Sequence, residues 1–357
     1  MSGVPLRVAI AGCGLIGTQW DAAGPALPYA LTHAAGFSRQ AGATLVAVCD
    51  PDLDKARAAA ARWGAAGAYA DPAAMFAAGP VDLAVVASAS AARWDVVQPA
   101  LAAGVKVLVI EKPLATTLAE SRRLVAAIDA AGARTVVNFS RRWDPAMLAL
   151  RDRILGGAMG PIERLVGTYG KGLTNNGSHM VDLVAFLCDA RPLRARALGS
   201  PLDPGEADWS QGRDRACDAQ LEYEDGGGRR FHLTMLGTDQ RAYTCFELRV
   251  LGSKALCELT LGGRKLSYTE LAADPHYAGY TVPGTPQALP AHALEAMERM
   301  AAQALQLAGG TIARANSDVH TALQTALAVE AVRRSAAEDG RWVTLAELDD
   351  TQTLMGE

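Results

Sequence analysis

The chain has 357 residues, half of them hydrophobic and a fifth charged, with a formal net charge of −4; this suits one large or two medium domains with buried cores. The balance is weakly acidic and holds no Lys/Arg cluster of the kind that tracks phosphate backbones, which argues against a nucleic-acid partner. The longest apolar runs, such as residues 83–87, are strand-sized and far short of the ~20 residues of a membrane-spanning helix, so no membrane partner is expected.

The opening residues Met1-Ser2-Gly3-Val4-Pro5-Leu6-Arg7 lead straight toward a strand and lack the order of basic, apolar and cleavage segments that marks a secretory leader. Over residues 1–140 strands are predicted at 7–11, 44–49, 83–87, 106–110 and 135–139. Helices are predicted at 52–63, 72–77, 94–103 and 118–131, with Asp71-Pro72 and Thr117 as start signals. Near-continuous apolar strands separated by helices predict an α/β domain with a doubly wound parallel sheet. From residue 141 to 357 the grammar changes. Helices at 144–155 and 178–188 and strands at 162–169, 218–223, 230–236, 244–251, 255–260 and 265–270 are followed by helices at 291–307 and 318–337. Gly-containing turns between the strands predict a C-terminal α+β domain with a largely antiparallel open sheet. Residues 201–214 and 274–290 read as loops, with Tyr277 and Tyr280 able to cover a sugar face.

Gly12-Cys13-Gly14-Leu15-Ile16-Gly17 follows the first strand directly. In a phosphate-cradling turn Gly12 bends the chain, Gly14 lets the backbone approach a pyrophosphate, and Gly17 lets a helix opening at Leu15 and Ile16 sit close to the strand. The second strand ends on Asp50, which accepts from ribose hydroxyls and repels a 2′-phosphate; Pro51 and Asp52 follow rather than an arginine. NAD is therefore expected, and NADP disfavoured. Asp50 lies further from Gly17 than the usual ~20 residues. The excess is assigned to an insertion at 24–42 carrying His33, read as decorating a loop in preference to facing the cleft.

The strand at 106–110 runs into Glu111-Lys112-Pro113, at the sheet edge where doubly wound folds bind ligands. Lys112 is either a solvated strand-end lysine or, aimed by the X-Pro constraint, a polariser of a reacting oxygen. Gly177-Ser178-His179-Met180-Val181-Asp182 opens a helix. His179 can exchange a hydroxyl proton near neutral pH or can be a structural histidine. Asp182, three residues on, can fix its tautomer or hold backbone.

In this order the three glycines, Asp50, Glu111-Lys112-Pro113 and Asn175-Asn176-Gly177-Ser178-His179-Met180-Val181-Asp182 resemble the glucose–fructose oxidoreductase/inositol dehydrogenase (Gfo/Idh/MocA) family. The resemblance extends over essentially the whole chain, to the closing helix and Gly340-Arg341-Trp342-Val343. It implies a Rossmann domain and NAD(H)-dependent oxidation of a secondary alcohol in a sugar, sugar nucleotide or inositol. Lys112 would contact nicotinamide and substrate, with Glu111 and Ser88 beside the cofactor and His179 as acid/base. Arg142 resembles a family Arg-Arg segment near substrate, the alternative being a surface cluster. Lys171, Asn175 and Asn176 would bind hydroxyls or an anionic group, or one Asn would cap the helix. Homo-oligomerisation through the open sheet is also implied. Asn175 stands where inositol-type dehydrogenases carry an aspartate, and Arg93 stands near the place of a family histidine. The resemblance leaves open an NAD-dependent glycosidase that oxidises transiently, and a non-catalytic NAD-binding regulator. The six cysteines include no Cys-x-x-Cys pair and the histidines are scattered; reduced thiols in a cytoplasmic protein without a metal are expected.

Overall fold

Runs of Val, Leu, Ile and Ala flanked by capped helices form the first part of the chain. The elements of this computed structural model, which describes residues 4–21, 27–199, 214–238, 243, 245–289 and 293–348, are β1 (Leu6–Ala11), α1 (His33–Ser38), β2 (Ala43–Cys49), α2 (Leu53–Trp63), β3 (Gly67–Tyr69), α3 (Pro72–Ala77), β4 (Leu83–Val86), α4 (Arg93–Ala102), β5 (Val107–Ile110), α5 (Leu118–Ala130) and β6 (Arg134–Val137). The side chains of Asp52, Asp71 and Thr117 accept backbone N–H groups at the starts of α2, α3 and α5, satisfying donors that a helix start leaves free. All six strands are parallel in the order β3-β2-β1-β4-β5-β6, the doubly wound arrangement whose strand order reverses beside β1.

There follow α6 (Pro145–Leu155), β7 (Ile162–Tyr169), α7 (Ser178–Cys188), β8 (Ala190–Ala197), β9 (Ala219–Asp225), β10 (Arg230–Gly237), β11 (Phe246–Gly252), β12 (Ala255–Thr260), β13 (Lys265–Ala273), β14 (Thr281–Pro283), β15 (Gln287–Leu289), α8 (Ala296–Ala308), α9 (Val319–Ala337) and β16 (Val343–Thr344). β7 to β16 make one sheet, ordered β14-β13-β12-β11-β7-β10-β9-β8-β16 with β15 also on β13. Among the described residues its one parallel pairing is β7 with β10. Residues 274–290, expected as loop, thus contain two three-residue strands: β14 pairs with the end of β13, which runs on to Ala273, and β15 pairs with Leu266–Tyr268 nearer its start. The expected loop at 201–214 lies outside the described residues except for Asp214. Among the described residues no helix is long and apolar enough to cross a membrane.

The chain divides into two compact units: Met1–Trp143 with Leu294–Leu323, and Asp144–Ala293 with Gln324–Glu357. In the first, successive strand residues feed opposite faces of the sheet. Val8, Ile10, Val85 and Val109 face one apolar cluster; Ala9, Ala11, Val86 and Ile110 face the other. The first cluster is completed by Met297, Met300, Ala304 and Leu307 of α8. Glu298 of that helix accepts from Ala30 N–H and from Arg39. So α8, which falls in the expected second domain by sequence position, covers the first unit's sheet. In the second unit α7 approaches β7 where there is no side chain: a Cβ on Gly167 would lie 2.9 Å from the Met180 sulfur and methyl. Tyr223 Oη donates to Val181 O at 3.1 Å.

Met300 is fully buried, so Met300→Ala should cost about 2–4 kcal/mol. Hydrogen exchange should show protection lost in β5 and β6, far upstream in sequence, against which α8 packs; loss confined to residues 294–323 would contradict this account of the core.

Candidate cofactor and substrate sites

The glycine turn is built on missing volume. Gly12 has φ +104°, and a Cβ there would lie 2.5 Å from the Ala87 carbonyl carbon and oxygen; one on Gly17 would lie 2.0 Å from Gly12 O. At Gly14 nothing lies within 4 Å of the place a Cβ would take. The turn is therefore closed behind Gly12 and Gly17 and open before Gly14, the shape a bound diphosphate needs. The helix expected from Leu15 is a single π-helical turn, Leu15–Gln19. The N–H groups of Thr18 and Gln19 both bond to Gly14 O, and their side chains both bond to Cys13 O, which draws the chain into one tight turn. Asp21 then accepts from Leu31 N–H, Thr32 N–H and the Thr32 hydroxyl, closing the insertion and starting α1.

Asp50 stands just beyond β2. One carboxylate oxygen accepts from Cys13 N–H at 2.9 Å and the other from Asp52 N–H at 3.0 Å. Each oxygen keeps a second lone-pair direction for a ribose hydroxyl. Ser88, whose N–H abuts Gly12, has a buried hydroxyl with no hydrogen-bond partner. Tight glycines, the opening at Gly14, the strand-end carboxylate and this orphan hydroxyl together fit an adenine dinucleotide.

Glu111-Lys112-Pro113 leaves β5 with a cis Lys112–Pro113 peptide. Lys112 is half-buried. Glu111 is buried, and its Oε1 accepts from His33 Nε2 at 2.8 Å and from Asn138 Nδ2 at 2.6 Å. Burial opposes its charge, but His33, Asn138 and Arg93 outweigh that and hold the carboxyl below the usual range. Arg93, 3% exposed, donates from Nη2 to Lys112 O at 3.4 Å; burial lowers it to about 10. His33 is thus not a loop decoration. It opens α1 and is wholly buried. Arg142 is buried too, not part of a surface cluster. Its Nη1 donates to Asn316 O at 2.6 Å while Asn316 Nδ2 donates to Arg142 O at 3.0 Å.

In the second unit Lys171 (φ +62°) and Gly172 (φ +77°) turn the chain out of β7 into a π-helical segment, Gly172–Gly177, that runs directly into α7. The Asp214 carboxylate accepts from Thr174 N–H and Asn175 N–H, both at 2.8 Å. Arg333 pairs with Asp214 at 3.5 Å and donates to the Thr174 hydroxyl. The Ser178 hydroxyl donates to Asn175 O. This clamp fixes the backbone of a segment on which Asn175, Asn176 and His179 are each half-buried, while Asp182 is buried. The N-cap position of α7 is Gly177, so neither Asn stands there. Tyr277 and Tyr280 pair edge to face in solvent, 68% and 70% exposed. Among the described residues no group of three or more His, Cys, Asp or Glu could hold a metal.

Sequence reasoning singled out neither Asn138 nor the Asp214–Arg333 clamp. Asn138 had one local signal, a polar residue at the penultimate position of the strand expected at 135–139, in the sheet that carries the site; the clamp had none.

Residues 6–139 match the Gfo/Idh/MocA family model, described as an oxidoreductase family with an NAD-binding Rossmann fold. Over these residues the chain is similar to this family. The chain is 38% identical over 119 residues to D-apiose dehydrogenase of Paraburkholderia graminis, covering 33% of this chain and 32% of that one. It is 37% identical over 162 residues to inositol 2-dehydrogenase 4 of Saccharopolyspora erythraea, covering 45% and 44%. The matches thus span less than half the length of these two relatives. The fold is that of an NAD-binding oxidoreductase from Klebsiella pneumoniae, with a TM-score of 0.76 at 20% identity over 98% of this chain and 100% of the other.

Two consequences can be measured. Gly14→Ala should unfold within about 0.5 kcal/mol of the parent, whereas Gly12→Ala should lose about 2–4 kcal/mol from strain and overlap; equal losses would refute the geometry of the turn. Because the folded Glu111 carboxyl titrates below its unfolded value, its stabilisation is complete above the ordinary glutamate pKa of about 4.3 and is lost as pH falls through the folded value. Glu111→Gln should therefore flatten the acid limb of the stability–pH curve, and an unchanged slope would show the carboxylate unimportant there.

Proposed function

We propose that the chain is an NAD(H)-dependent oxidoreductase that moves a hydride to or from a secondary-alcohol carbon of a sugar or inositol-like substrate. The observation that carries the reading is the glycine turn, crowded at Gly12 and Gly17, open at Gly14, and joined through Cys13 N–H to Asp50. The relatives named as D-apiose and inositol dehydrogenases support the substrate class.

NAD supplies the hydride chemistry when bound. Asp50 accepts from the ribose hydroxyls and disfavours a 2′-phosphate, Gly14 leaves room for the diphosphate, and the Ser88 hydroxyl gains a partner. Lys112 donates to the reacting oxygen and stabilises its alkoxide character. His179 takes the hydroxyl proton during oxidation and returns it in reduction. Asn175 is an amide and cannot take that proton; with Asn176, Lys171 and Arg142 it serves to hold hydroxyl or anionic groups of the substrate. The reading also carries a homo-oligomer formed through the open sheet and a reducing, cytoplasmic setting, the latter supported by six buried, unpaired thiols.

Purified protein screened against sugars, inositols and sugar nucleotides should reduce NAD with kcat/KM at least about tenfold above that for NADP. Lys112→Met should bind NAD within about threefold of the parent while kcat falls about a thousandfold. Undiminished turnover in that variant would defeat the assignment.

A further inference from the structure

The buried cluster around Glu111 draws on four separate elements. His33 comes from the start of α1, Arg93 from the start of α4, Glu111 from the end of β5 and Asn138 from just past β6. Their exposures are 0%, 3%, 8% and 5%. Such a cluster is a poor device for stability. His33 Nδ1, Asn138 Oδ1, and Arg93 Nε and Nη1 are all buried without a hydrogen-bond partner, and a half-satisfied polar network is less favourable than apolar side chains of the same volume. What the cluster does achieve is local. The Glu111 side chain is held by two donors, one of them from a segment 78 positions away. The next carbonyl, that of Lys112, is held by Arg93. Pro113 restricts its own φ. The backbone from which the Lys112 side chain springs is therefore pinned on both sides.

We propose that His33 is a positioning residue for Lys112, acting through Glu111, with Asn138 and Arg93 completing the clamp. The inference rests on the role given to Lys112 above. It assigns function to the turn-to-strand insertion: the insertion returns the chain to the carboxyl edge of the sheet so that α1 begins with its histidine on Glu111. His33 touches no reacting group. Its loss leaves the lysine present and misaimed, so chemistry suffers more than binding.

The test compares His33→Leu, His33→Gln and Asn138→Ala in the full chain. Glutamine can place an amide N–H near the imidazole Nε2 and keep the bond to Glu111. His33→Leu should lower kcat about 10- to 100-fold with KM and NAD affinity within about threefold, and His33→Gln should restore kcat to within about threefold. Asn138→Ala should lower kcat in the same sense, and it carries the test if His33→Leu does not fold. A second readout needs no substrate. The chain has six lysines, so after 13C-dimethylation the Lys112 resonance can be assigned by its loss in Lys112→Arg. It should move in His33→Leu and return in His33→Gln. Failure of the parent to turn over any sugar or polyol would defeat the proposed reaction, and the resonance would then decide the clamp by itself. A kcat within twofold of the parent and an unmoved resonance in both His33→Leu and Asn138→Ala would overturn the inference, as would a His33→Gln variant as impaired as His33→Leu.

Discussion

The first unit depends on a place where backbone meets backbone with nothing between. At Gly12 the chain passes so near Ala87 and Ser88 that the smallest side chain would overlap them, and at Gly17 it passes as close to Gly12 itself. This lets the ends of β1 and β4 converge while Gly14 stays open. Asp50 locks the arrangement by binding Cys13 N–H from the next strand. The second unit uses the same device twice, where Gly167 admits α7 against β7 and where Gly172 leaves room for the Asp214 carboxylate. In both units the groups with chemistry stand on segments whose course is set by such close approaches, and side-chain clamps then fix them.

Much of this was legible because it is local. Unbroken apolar strands announce burial on both faces, so the parallel sheet could be read from residues 1–140 with strand ends shifted by one or two positions. The failures have physical causes. β3 is three half-buried residues, too short for any period to show. β8 carries Arg191, Arg194 and Arg196, which resemble a solvated stretch until Glu224, Glu222 and Gln220 of β9 are set opposite. Such cross-strand pairing is invisible from either strand alone. The pattern of α8 declares a helix but not which core it will cover.

The site divides in the same way. The glycine turn, Asp50, Glu111-Lys112-Pro113 and the His179 segment are contiguous words, and their spacing carries their meaning. His33 is not. In an insertion rich in small and polar residues it reads as surface, and only its partner Glu111 shows that it lies in the interior. Asn138 and the Asp214–Arg333 pair have the same character, each polar group accounted for by a neighbour remote in sequence.

That α8 covers the sheet of the first unit also bears on how the protein is made. A ribosome releases all six parallel strands long before residues 294–323 emerge. Until then the face carrying Val8, Ile10 and Val109 lacks Met297, Met300, Ala304 and Leu307. The nascent first unit must wait, apolar surface uncovered, while the whole ten-stranded sheet except β16 is synthesised. For the same reason no single cut frees the dinucleotide-type fold from the rest: a fragment ended at Trp143 is a sheet with one side unfinished.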